Sequence, residues 1–114
     1  MAKKRSNTDA AGSNNATLIQ AGPTSVHNIF ANNASAGTKY LRLYNKATSP
    51  TVGTDVPVIV VAIPATSSKE IVLKHDLEFP LGLGMAITGA AAYNDNTAVT
   101  AHDVQVYIVY DDLK

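Results

Sequence analysis

The 114-residue chain contains no cysteine and no tryptophan, and only 16% of it is charged. Each shortage excludes something. Without cysteine there is no disulfide framework, no thiolate metal site and no cysteine nucleophile. Without tryptophan the chain lacks the largest aromatic face on which sugar sites are built. Nine basic and nine acidic residues cancel. A nucleic-acid binder needs a basic field to neutralise phosphates, so that class is disfavoured. Long apolar runs are missing too. The longest, Val56 to Ala65, is interrupted by Pro57 and Pro64. It is far shorter than the ~20 residues of a helical membrane span. The basic N-terminus is not followed by an apolar stretch, so no secretory signal and no Sec export are expected.

Apolar residues make up 46% of the chain, enough for one domain with a core that folds without disulfides. From Ala16 onward the apolar pattern has period two, the spacing that puts alternate side chains on opposite faces of a strand. In "KYLRLYN", Leu41 and Leu43 share one face; Tyr40, Arg42 and Tyr44 take the other. In "DVQVYIVYD", Val104, Val106, Ile108 and Tyr110 oppose Gln105, Tyr107 and Val109. "KEIVLKH" sets Ile71 and Leu73 against Glu70, Val72 and Lys74, and "SVHNIFA", "ATLIQ" and "MAITG" read as weaker or shorter strands. Turn signals separate them at 21–24, 32–37, 48–55, 64–68, 79–84 and 93–96, where Gly, Pro, Asn and Asp supply backbone states strands do not use. The expectation is an all-β, antiparallel β-sandwich of about seven or eight strands, with jelly-roll or Greek-key connections.

"VPVIVVAIPA" is apolar on both parities. A strand of that kind must be covered on both faces, by the chain's own loops or by another subunit; the two options stay open. Tyr40 and Tyr44, on an outward parity, lean toward a subunit interface, where aromatics are enriched. The expected interface set is therefore Tyr40, Tyr44, Val58, Val60 and Val61. Residues 1–15, "MAKKRSNTDAAGSNN", carry no large apolar residue after Met1. They are expected to form an extended polar N-terminal arm, outside a sandwich domain spanning 16–114, because they cannot offset the entropy of ordering alone. Deleting 2–15 should then leave folding intact. Lys3, Lys4 and Arg5 give the arm a basic end suited to an acidic protein surface.

No reactive constellation stands out. There is no Gly-x-Ser-x-Gly elbow. His75–Asp76 and His102–Asp103 are sequence neighbours, so on a strand they point to opposite faces and form no ready dyad. "YNDN" lacks the calcium-loop spacing, and "GLGM" is followed by no Gly-Lys-Ser/Thr. The Asn15 and Asn33 glycosylation triplets are chance matches in an Asn-rich chain. No catalytic residue, cofactor, metal or small-molecule substrate is expected.

Four pieces in order, "LYNKATSPTVGTDVPV", "IPA", "FPLGLG" and "AITGAAA", followed by the strand that ends at Tyr110, resemble a pattern in small β-sandwich structural proteins of tailed bacteriophages. The pattern often has a longer segment before Ile-Thr-Gly-Ala; here only Gly84, Met85 and Ala86 intervene. The resemblance implies a capsid cement or decoration protein on the outer surface of the phage head, bound to the major capsid protein at capsomer junctions. It also implies a homotrimer and a virion location after synthesis in the host cytoplasm; that no nucleic acid or membrane is a partner is expected from the charge balance and the short apolar runs. A second expectation, from another class, is a head-fibre or tail-associated module that recognises a host glycan or receptor, with Tyr40, Tyr44, Tyr93 and Tyr107 as stacking surfaces.

Overall fold

In the computed structural model, which describes residues 3–113, every regular element is a β-strand. The strands are β1 (Lys4–Asp9), β2 (Thr17–Ala21), β3 (Thr24–Asn33), β4 (Lys39–Asn45), β5 (Ile59–Ile63), β6 (Ser67–Phe79), β7 (Gly82–Thr88) and β8 (Val104–Asp112). They form two four-stranded sheets: sheet A in the order β1-β8-β3-β6 and sheet B in the order β2-β7-β4-β5. β4 pairs with β5, β3 with β6, β2 with β7 and β1 with β8, all antiparallel. That is one long ribbon, rolled up so that β8 also meets β3 and β7 meets β4. The result is a jelly roll, the all-β sandwich the period-two pattern predicts.

The inward parities are those read from the sequence. Leu41 and Leu43 of β4 and Val104, Val106 and Ile108 of β8 are buried against Ile29, Phe79, Leu83, Met85 and Ile87. Each such side chain contributes roughly 1.5–3 kcal/mol by leaving water. β5 aligns Ile59, Val61 and Ile63 with Leu43, Leu41 and Lys39 of β4, which puts them on the core side. Val58, Val60 and Ala62 then face outward.

Two expectations are corrected. The turn expected over 79–84 is confined to Pro80 and Leu81, and Gly82 and Gly84 lie in β7. β7 is buried along its whole length because a loop lies on its outer side, and only small residues leave room for it. A Cβ on Gly84 would meet Pro50 at 3.0 Å, and one on Gly82 would meet the Lys46 carbonyl oxygen at 2.5 Å. The polar arm is also partly a strand. Residues 4–9 form β1, in register with β8 from Lys4↔Tyr110 to Asp9↔Gln105. Ala10 is buried in the core. β1 needs no large apolar residue: the backbone ladder holds it, and small Ser6 and Thr8 fit its half-buried inner side. Deleting 2–15 would therefore strip an edge strand from sheet A, not an independent tail.

Candidate functional site

A two-layer sandwich has two outer faces, and here they differ in kind. On sheet B the outer row of β4 is Tyr40, Arg42 and Tyr44, opposite Thr88, Ala86 and Gly84 of β7. Arg42 is fully buried without a carboxylate partner among the described residues. Its Nε donates to Thr88 Oγ1 at 2.8 Å, Nη2 to the Ala90 and Ala92 carbonyls at 2.7 Å each, and Nη1 to the Tyr93 carbonyl at 3.2 Å. A guanidinium presents donors in a fixed fork, so one side chain folds the 89–95 loop over the sheet. Asp95 tightens that loop. Burial would raise its pKa, but hydrogen bonds from the Thr97 hydroxyl and amide and the Ala90 amide outweigh this and hold it below the ordinary value.

The loop at 46–58 covers the rest. Asp55 accepts from Lys46 Nζ at 2.6 Å and from the Thr51 amide at 2.7 Å. The Lys46 bond, then the Thr51 bond, lower its pKa. Gly53, at φ 96°, makes the turn. Tyr44 lies beneath this cover. Desolvation raises its pKa, and the nearby Arg42 charge partly opposes this. Its hydroxyl has no hydrogen-bond partner of acceptable geometry among the described residues.

This cover corrects part of the expected interface. Tyr44 is 1% exposed and Val61 6% exposed, both within their own chain, so neither has surface to give a neighbour. Tyr40 and Val60 are half-buried on the outer side of β4 and β5. Val58 is 52% exposed and Val56 74%. The second face of the valine run is thus open at this edge. β5 is an edge strand with no charged residue, whereas the edge strands of sheet A carry Lys4, Arg5 and Asp9 on β1 and Lys69, Glu70, Lys74, Asp76 and Glu78 on β6. Charges on an edge discourage strand pairing with another chain; β5 lacks that protection, apart from Lys69 Nζ donating to the Ala62 carbonyl.

The outer face of sheet A has no loop over it among the described residues. Its side chains form a grid of three rows across four strands. One row is Arg5, Val109, Asn28 and Val72; the next is Asn7, Tyr107, Phe30 and Glu70; the third is Asp9, Gln105, Asn32 and Ser68. The third row is closed on itself. Ser68 donates to Asn32, Asn32 to Gln105, and Gln105 to Asp9. Asp9 also lies 2.7 Å from His102 Nδ1. The His102 bond, then the Gln105 bond, lower the Asp9 pKa. At the centre of the middle row the Phe30 and Tyr107 rings lie 5.9 Å apart, tilted by 43°. Val72, in the first row, is 73% exposed. An apolar centre ringed by amides and charges is the anatomy of an interaction surface. The signal was present in the outward parity of Tyr107, Val109 and Val72, but nothing local says that this face is left bare.

Of the basic residues at the chain start, Lys4 donates to Gln20 at 2.7 Å and Asp112 at 3.1 Å. Lys3 is exposed and Arg5 lies on the sheet A face. Tyr93 sits on the 89–95 loop, so the four tyrosines weighed as stacking surfaces do not converge.

The polar chemistry gathers at a β-bulge. Between Val26 and Asn28 the β3–β6 register jumps from Leu77 to Val72, so His27 stands opposite four residues of β6. Its Nδ1 is 2.9 Å from Asp76 Oδ2 and its Nε2 2.9 Å from Asp111 Oδ1. Ser25 Oγ donates to Asp76 at 3.3 Å, not to the imidazole. A nucleophile needs its base on the hydroxyl. Here both imidazole nitrogens are occupied by carboxylates, so the cluster ties β3, β6 and β8 together without forming a nucleophile–base pair.

No family model matches this chain, and no curated protein sequence does. Solved structures similar to it include two of the Tobacco streak virus coat protein. One, at 9% identity and a TM-score of 0.41, covers 98% of this chain and 86% of the coat protein. The other, a coat protein dimer, has 8% identity, a TM-score of 0.43 and coverages of 96% and 85%.

Proposed function

We propose that this is a structural virion protein: a capsid cement or decoration protein that binds the outer surface of a bacteriophage head and stabilises capsomer junctions as a homotrimer. The observation that carries the reading is the open edge at β5, where Val56 and Val58 stand in water at the start of a strand free of charge, and half-buried Val60 and Tyr40 follow along its outer side. Exposed apolar residues clustered at an unguarded edge are a feature of chains that bury that surface against a neighbour. Tyr40, Val58 and Val60 form the subunit contact in this reading. Lys3, with Lys4 beside it, meets an acidic patch of the major capsid protein. Three such weak contacts, linked in one trimer, act together through effective concentration.

The test is co-sedimentation of the purified protein with expanded heads assembled without it, alongside its mass in solution. A trimer, or an assembly of trimers, that decorates heads, and loses both properties in Val58→Lys, supports the proposal. A monomer that ignores heads overturns it, and binding to a glycan array instead would favour the receptor-binding alternative.

A further inference from the structure

We propose that the bare outer face of sheet A is a second, separate contact, and that its occupant is another copy of this chain related by a two-fold axis. The grid carries the argument. A two-fold lying in the plane of contact, parallel to the strands and between β8 and β3, exchanges β1 with β6 and β8 with β3 while keeping each row opposite itself. Tyr107 then packs on the partner's Phe30, and Phe30 on the partner's Tyr107, so the 5.9 Å pair in each chain becomes a cluster of four rings.

In the same row Asn7 faces the partner's Glu70, and Arg5, one row away, comes beside that carboxylate. Arg5, Asn7 and Glu70 make no side-chain hydrogen bond or ion pair within the chain among the described residues, so all three are available. The charges are self-complementary because Arg5 and Glu70 stand on opposite rims, β1 and β6. The third row reaches the contact with its polar groups already bonded to one another, which lowers the cost of excluding water there. A two-fold perpendicular to the strands would instead set Glu70 against the partner's Glu70. Sheets packed face to face with near-aligned strands are a common solution for twisted sheets, and an isologous contact closes at two copies.

This contact does not depend on the capsid reading, and it uses a different sheet from the β5 contact. The two can therefore be separated by sedimentation equilibrium and mass photometry. In Val58→Lys, where the β5 contact is broken, the expected species is a dimer in equilibrium with monomer. Adding Tyr107→Lys should leave monomer only. Glu70→Arg should weaken the dimer ~10-fold or more by setting two cations together, and Arg5→Glu in the same chain should restore it to within ~3-fold. Circular dichroism melts of each variant check that the fold persists. A Val58→Lys protein that stays monomeric at ~1 mM overturns the proposal, as does a dimer indifferent to Tyr107→Lys or a charge swap without recovery. If wild type is a dimer that Val58→Lys does not change, the two-fold stands and the trimer fails.

Discussion

At the middle of sheet B's outer face, Arg42 is wholly enclosed and spends its donors on Thr88 and three loop carbonyls. At the middle of sheet A's outer face, Tyr107 is 41% exposed and touches Phe30. Both positions lie on the outward parity of a central strand. The difference is not hydrophobicity, since the covered position holds the cation and the open one the aromatics. It lies in what the neighbouring strand offers. Opposite β4, the outward residues of β7 are Gly84, Ala86 and Thr88, small enough for Pro50 and the 89–95 loop to settle on them. Opposite β8, the outward residues of β3 are Asn28, Phe30 and Asn32, which fill the space themselves. The centre of sheet B is therefore completed inside the chain, with its β5 edge left open, whereas the centre of sheet A presents a surface.

Substitutions on the two faces should accordingly report on different properties. Arg42→Met should cost about 2–4 kcal/mol, because it leaves several loop carbonyls without donors. Tyr107→Ser, at the matching place on sheet A, should cost about 1 kcal/mol or less, the worth of one cross-strand aromatic pair. Urea unfolding of the two variants checks the ranking; equal losses would break the comparison. Acid should also act unevenly. Asp55 and Asp95 have pKa values lowered below 3.8 in the folded state. A lowered carboxylate contributes stability above its unfolded value, and that contribution is lost as pH falls through the folded one. Protection against amide exchange, taken relative to the intrinsic rate at each pH, should therefore fall in the loops at 46–58 and 89–98 below about pH 4 before it falls in the β3 and β8 core. Simultaneous exposure would mean that the loops are not separate covers. The smallest effect is expected at Tyr44→Phe. Its hydroxyl is buried with no partner of acceptable geometry among the described residues, so removing it should change stability by no more than about 0.5 kcal/mol, measured by the same unfolding. A loss above that would reveal a partner for the hydroxyl.

Much of the architecture was legible because strand alternation is local. Leu41, Leu43, Val104, Val106 and Ile108 point inward for the reason the sequence suggests, and Ile59–Ile63 of the valine run form a strand between Pro57 and Pro64. The interface set fared differently. Tyr40, Val58 and Val60 keep accessible surface, whereas Tyr44 and Val61 do not. The same parity argument that placed Tyr44 outward could not see Pro50 and the Asp55 clip folding over it. β1 was missed for the opposite reason: it is held by backbone pairing with β8, a hundred residues away in sequence, and leaves no apolar trace of its own. Nor does the His27 cluster show in local spacing, since Asp76 and Asp111 reach it only through the bulge in β3 and the far end of β8.

What the sequence determined by itself was therefore the class of element, the inward face of β4, β6 and β8, and the absence of thiol chemistry or of a helix-length apolar span. The tertiary structure alone decided which outward face the chain covers and which it leaves to water. Alternation is written between neighbours two residues apart. Cover depends on contacts such as Arg42 with Ala90 and Ala92, 48 and 50 residues apart, and on small β7 residues that matter only once a loop lies above them.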